Sequence, residues 1–312
     1  MVRDNQIGLL QFCSEQRKIL ILRSIGGIGD IINTRPLFKQ IAELSNGSEI
    51  TYGLPREYIS LVIDHPYIDA VLPIDLIDQD EYAWVGDTTN KAGNYEYKHL
   101  PNISLHRSEI WARYLGFNLE NHDYNITFYN NEKKLQEEFI DDYSNKEIFI
   151  GLMTKTSHPS KDWFDHRWIE LIDRIKSEYN NIHVFRFGMK KPKMSNVIDV
   201  DTRGNLRKWM YLTATMNLII TPATSMFCLA NALHIPTVAI FGVEDGLVYG
   251  KYFNECIVVE RRKKDGIKWS SCPCWGSQYC SHRLVDGMVE CMRSITVNEV
   301  LSTLRKKLDA LI

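Results

Sequence analysis

The chain is 312 residues long, with 37 Lys+Arg against 39 Asp+Glu, a formal charge of −2 and 44% hydrophobic residues. At roughly 150 residues per domain this length suggests two domains, each able to bury its own core, and the ordinary charged fraction excludes a fibrous or disordered chain. No run approaches the roughly 18–20 consecutive apolar residues of a membrane span, and a near-zero charge gives no global field for nucleic acid or an anionic membrane.

The first residues lack the charged-then-apolar pattern of a signal peptide, so a cytoplasmic protein is expected. Residues 18–23, Lys-Ile-Leu-Ile-Leu-Arg, form the apolar run of a strand buried on both faces of a parallel sheet. They lead into Ser24-Ile-Gly-Gly-Ile-Gly-Asp30 and a helical pattern (Leu37, Phe38, Ile41, Ala42, Leu44) that stops at Ser45-Asn46-Gly47. Strands are expected over 50–53 and 70–74, and a helix over 106–117 with Ile110, Trp111, Tyr114 and Leu115 on one face. The acidic stretch 130–146 holds one helix and no strong strand, and the domain boundary is placed there. The pattern restarts with strands at 148–152, 182–187, 217–220 and 237–241, and helices at 168–179, 206–215 and 226–233. A final amphipathic helix, 295–312, carries Val297, Val300, Leu301, Leu304 and Leu308 on one side. The chain thus reads as α/β: one half at 1–145, a second at 146–294, and a terminal helix at 295–312 packing back on them. Open sheets of this kind hold ligands at the carboxyl ends of their strands, so function is expected in a cleft between facing halves.

Gly26, Gly27 and Gly29 lie between a strand and a helix, where glycine lets backbone approach a ligand and the helix start favours an anion. The spacing is neither G-x-G-x-x-G nor a P-loop, and a tight turn accounts for it as well. On these residues alone Asp30 is better explained as a helix cap than as a general base. In the second half, Thr156, Ser157 and Lys161 follow the strand at 148–152, and Thr224 and Ser225 follow the strand at 217–220. Capping and solvation explain each loop separately. Their shared placement after strands of one half favours a nucleotide diphosphate.

In order and spacing, these segments resemble glycosyltransferase family 9, the heptosyltransferase-like family of the GT-B fold. The similar stretches are 18–36, Ser160-Lys-Asp-Trp with Arg167-Trp-Ile-Glu-Leu171, Asp201-Thr-Arg-Gly-Asn-Leu206, and 218–242. The resemblance implies two Rossmann-like, doubly wound domains facing across a cleft, the first (1–145) binding the acceptor and the second (146–294) the nucleotide sugar. It also implies a metal-independent, inverting transfer of a sugar from ADP-heptose, or a similar nucleotide sugar, to an acceptor hydroxyl. It makes Asp30 the general base and assigns the donor phosphates to Thr156, Ser157 and Lys161, with Gly27, Gly29, Thr224 and Ser225 completing the binding residues. The acceptor would be a glycolipid such as lipopolysaccharide, a protein, or modified nucleic acid. Where the family has Asp-Thr/Ser-Gly-x-x-His, this chain has Ala223-Thr-Ser-Met-Phe-Cys228, which lacks the carboxylate and the imidazole. A changed donor sugar would follow, or a non-catalytic nucleotide- or glycan-binding relative of the same fold.

Four of the seven cysteines fall in 272–291, spaced C-x-C-x5-C-x10-C. Cys272, Cys274, Cys280 and Cys291 suit a tetrahedral structural Zn or Fe site, or pack as reduced thiols. The resemblance, whose relatives include iron-holding members, favours the metal.

Overall fold

The computed structural model describes residues 17–143, 147–188, 192–260 and 289–311. The chain divides into two compact units, Met1–Lys98 with Leu105–Thr127, and His99–Ser104 with Phe128–Ile312.

The first unit contains β1 (Lys18–Leu22), α1 (Ile28–Thr34), α2 (Pro36–Leu44), β2 (Glu49–Leu54), β3 (Ala70–Pro73), β4 (Trp84–Asp87), α3 (Lys91–His99, whose last residue falls in the other unit) and α4 (Arg107–Tyr114). Its four strands are parallel, in the order β3-β2-β1-β4. The apolar run of β1 is buried from Ile19 onward because it is central, with β2 on one side and β4 on the other. The single helical pattern expected after the glycines is two helices: Pro36 begins α2, where its missing N–H costs nothing. The strand β4 lies outside the sequence expectations. Only four residues long, with a Gly and an Asp, it carries little strand signature.

The second unit contains α5 (Asn130–Asp141), β5 (Ile148–Leu152), α6 (Asp165–Glu178), β6 (Ile182–Arg186), β7 (Ile198–Asp199), α7 (Leu206–Thr213), β8 (Leu218–Pro222), α8 (Ser225–Ala232), β9 (Thr237–Phe241), α9 (Gly246–Tyr249), β10 (Cys256–Glu260), α10 (Glu290–Ser294) and α11 (Val297–Leu308). Its sheet runs β10-β9-β8-β5-β6-β7, again parallel throughout. The division therefore falls after Thr127 rather than at residue 145. The cause is α5, whose Phe139 packs on Phe149 and Phe185, and whose Glu132 takes a two-pronged hydrogen bond from Arg207.

On α6, Trp168, Leu171, Ile172 and Ile175 recur at i, i+3, i+4 and i+7 and are all buried. On α11, Val297, Val300, Leu301, Leu304 and Leu308 do the same, behind a Thr296–Glu299 capping box. The two stripes belong to one core, each fully buried aliphatic contributing about 1.5–3 kcal/mol. The terminal helix is therefore part of the second unit's core. No helix among the described residues is long and apolar enough to cross a membrane.

Candidate active site

In each sheet the first strand of the unit has neighbours on both sides, and the connections leave it in opposite directions. The topological switch points are β1/β4 and β5/β8, where loops part and leave a crevice at the carboxyl ends.

At β1/β4 the loops are stitched together: Thr88 donates its hydroxyl to the Leu22 carbonyl and Ser24 N–H donates to Thr89 Oγ1. Arg23, the residue after β1, is buried; its guanidinium stacks 4.5 Å from the Trp111 ring centroid and donates to the Thr88 carbonyl. Asp30 stands in the first turn of α1. It caps the helix, accepting from Gly27 N–H at 3.3 Å, and it remains partly exposed at 18%. Arg107 Nη1 donates to its Oδ1 at 2.5 Å and Arg23 Nη2 lies 3.2 Å from Oδ2. Arg107 is itself fixed by Glu96, to which Nε and Nη2 donate at 2.7 and 2.8 Å. Burial raises the Asp30 pKa, but the Arg107 and Arg23 charges and the hydrogen bonds from Arg107 and Gly27 outweigh it and hold the carboxyl below its usual value. It is ionised at neutral pH. Arg23, Ile25, Gly26, Asp30, Asn90, Ala92, Gly93 and Arg107 line a cavity of about 130 Å³, room for roughly four waters or one hydroxyl-bearing group.

The glycine that this geometry requires is Gly26. Its φ is +140°, and a Cβ there would sit 2.7 Å from Arg23 Nη2 and 3.1 Å from Asp30 Oδ2. Gly27 has extended backbone and open space around it, and Gly29 lies in α1.

At the far end of α1, Arg35 has no exposed surface. It pairs with Asp64 through both guanidinium nitrogens and donates to the carbonyls of Leu61, Tyr124 and Asn125. Buried charge is tolerated only with such saturation. The Arg35 carbonyl in turn meets His65 Nε2 at 3.0 Å, so the α1–α2 junction is fastened to the loop before β3.

In the second unit the loop after β5 carries Thr156, Ser157 and Lys161. Thr156 N–H donates to Asp162 and its hydroxyl to the His158 carbonyl, while Ser157 is exposed. Trp163 anchors the loop: it is fully buried, stacks edge-on with Trp168 at 4.9 Å and donates Nε1–H to the Ile295 carbonyl. Lys161 Nζ donates to Glu244 Oε1 at 2.5 Å. After β8, Thr224 caps α8 by accepting from Met226 N–H, and its hydroxyl lies 2.7 Å from that of Thr221; Ser225 opens the helix. Ala223 brings no polar side chain, and Cys228 is buried on α8. The loops carrying Thr156, Ser157, Lys161, Thr224 and Ser225 thus leave the adjacent strands β5 and β8 at the switch point. Cys272, Cys274 and Cys280 lie outside the described residues; Cys291 is buried in the second core, against Gly242.

Sequence reasoning missed Arg23, Arg107, Glu96 and Glu244. Arg23 and Glu244 each sit just past a core strand at its carboxyl end, and that placement was the available signal. Arg107 meets Asp30 across 77 residues, which no local pattern reveals.

The fold resembles several solved structures. The E. coli ADP-heptose lipopolysaccharide heptosyltransferase II aligns at a TM-score of 0.66 and 15% identity, covering 94% of this chain and 99% of that one. A family 9 glycosyltransferase from Veillonella parvula aligns at 0.69 and 16%, covering 95% and 97%. The iron-containing dodecameric glycosyltransferase TibC of enterotoxigenic E. coli aligns at 0.69 and 16%, covering 96% and 78%. At such identities the likeness establishes the GT-B fold. No curated protein matches the sequence. The model of glycosyltransferase family 9 (heptosyltransferase) matches residues 98–268, more than half the chain, and the protein belongs to that family of glycosyltransferases.

Proposed function

We propose that the enzyme moves a sugar from a nucleotide diphosphate, ADP-heptose or a close analogue, to an acceptor hydroxyl with inversion and without a catalytic metal. The observation that carries this reading is the ionised Asp30 carboxylate lining a cavity at the β1/β4 switch point. Asp30 accepts the hydroxyl proton as the acceptor oxygen bonds to the anomeric carbon and the bond from that carbon to the diphosphate breaks. Lys161 and the amides opening α8, with Thr156, Ser157, Thr224 and Ser225, stabilise the charge of the departing diphosphate. Gly27 and Gly29, at the start of α1, complete the binding residues, with open space where a Gly27 Cβ would stand. Glycolipid, protein and modified nucleic acid all supply a suitable hydroxyl, and a cytoplasmic site fits the cytosolic nucleotide-sugar supply. Cys272, Cys274, Cys280 and Cys291 would hold a structural Zn or Fe, supported by their spacing and by the burial of Cys291. Metal analysis of purified protein against Cys291→Ser tests that part.

One observation favours a non-catalytic binding relative instead: both Asp30 oxygens are already engaged by Arg107, Arg23 and Gly27. A thermal-shift screen against ADP, UDP, GDP, CDP and their sugar conjugates tests the donor site. A ligand at a hundredfold its Kd adds about 2.7 kcal/mol of stability. No shift with any nucleotide refutes the donor site. A shift without nucleotide release in the presence of deacylated lipopolysaccharide core, hydroxyl-bearing peptides or hydroxymethylated DNA favours the binding relative.

A further inference from the structure

Glu244 lies three residues beyond β9 and is 3% exposed. Its Oε1 accepts from Lys161 Nζ at 2.5 Å and faces the Tyr249 hydroxyl at 3.5 Å. Its Oε2 is buried with no hydrogen-bond partner among the described residues. A buried carboxylate oxygen without a donor is costly and rare, so a group that supplies the donor is called for.

The sheet order says where that group would be. β8 lies between β5 and β9, so Lys161 from the loop after β5 and Glu244 from the loop after β9 meet across the carboxyl end of β8, where Thr224 and Ala223 stand. The chemistry narrows the group further. A phosphate brings only acceptors and negative charge. A cation is not needed, because Lys161 already balances the carboxylate. What fits is a neutral donor, an O–H. Lys161 keeps two further N–H donors for phosphate oxygens, so the pair orients the lysine without disabling it.

We infer that Glu244 is a specificity-determining residue for the donor, its Oε2 accepting a hydroxyl of the transferred sugar and supplying the carboxylate that Ala223 cannot. This rests on the donor-site reading above. The sugar, rather than the ribose, is the partner because Glu244 stands on Lys161, the residue read as meeting the diphosphate, beside a loop where Ala223 brings no polar side chain.

The test is isothermal titration of wild type and Glu244→Gln with ADP-heptose, ADP-glucose, UDP-glucose and GDP-mannose, each against its parent nucleoside diphosphate. For the conjugate that the wild type prefers, Glu244→Gln is expected to weaken binding tenfold or more while the parent diphosphate, which retains the ribose, changes less than threefold. Equal loss for both would assign Glu244 to the ribose or to Lys161 and overturn the proposal, as would no loss for either. Should Glu244→Gln melt before it can be titrated, Glu244→Asp keeps the charge, shortens the reach and carries the same selective expectation. Failure of the wild type to bind any diphosphate would refute the donor-site reading itself, and Glu244 with it.

Discussion

Acid should loosen the unit that carries Asp30, and His65 sets the amount. The ring is buried, packed edge-on against Phe38 at 5.4 Å, with Nδ1 accepting from Tyr67 N–H and Nε2 therefore donating to the Arg35 carbonyl. Burial first, and then the adjacent Arg35 guanidinium, depress its pKa from 6.5 to about 3, against the opposing pull of the Arg35 carbonyl and Asp64. The unfolded chain takes up this proton near pH 6.5 and the folded chain only near pH 3. The stability held by the neutral ring is therefore complete above pH 6.5 and is lost as pH falls through that window. The loss approaches 1.4 kcal/mol per pH unit, about 2 kcal/mol between pH 8 and pH 5 and on the order of 4–5 kcal/mol over the whole window. Because the Arg35 carbonyl belongs to the α1–α2 junction, the loss falls on the elements that place Asp30. His65→Gln keeps a donor and an acceptor but cannot titrate. Urea unfolding from pH 8 to pH 5, read on peptides of β2 by pulsed hydrogen exchange, should show the wild type losing about 2 kcal/mol more than the variant. Parallel curves would mean that His65 titrates alike in both states and contributes no such pH dependence.

Two further outcomes follow from the Asp30 environment. Arg107→Gln removes the closer of its two cations, so the acid limb of kcat/KM should move up by about 1–2 pH units, as expected for a carboxylate losing one ion-pair partner; an unmoved limb would mean that Asp30 does not set it. Gly26→Ala must fit a Cβ against Arg23 and Asp30 at a positive φ, costing about 1–3 kcal/mol and activity together, measurable as a lowered Tm with reduced turnover. Gly27→Ala, with open space at its Cβ, should be mild in stability, and the contrast between the two glycines is the informative reading.

The central strands were legible because β1, β5, β8 and β9 are continuous apolar runs, which only a sheet covered on both faces demands. α11 was legible for the complementary reason, a one-sided stripe with a strong cap. The edge elements were not. β4 and β7 are short, and their pairing is fixed by neighbours in the sheet rather than by their own residues. The unit boundary was misplaced because α5 looks polar throughout, and one buried-side aromatic, Phe139, decides which core it joins. The candidate site shows the same limit. Asp30, Lys161 and Thr224 stand in loops between a strand and a helix, a local signature. Arg107 and Glu244 acquire meaning only through partners 77 and 83 residues away.

A base and a mere helix cap at Asp30 differ in one respect: only the base is needed for turnover. The direct measurement is Asp30→Asn, which preserves the shape and the capping oxygen, assayed for sugar-transfer turnover and for nucleotide affinity with the donor that the wild type binds. The expected result is a fall in kcat of about 10²–10⁴-fold with the nucleotide Kd unchanged. Retained turnover, or a loss of nucleotide binding that accounts for the lost activity, would contradict it.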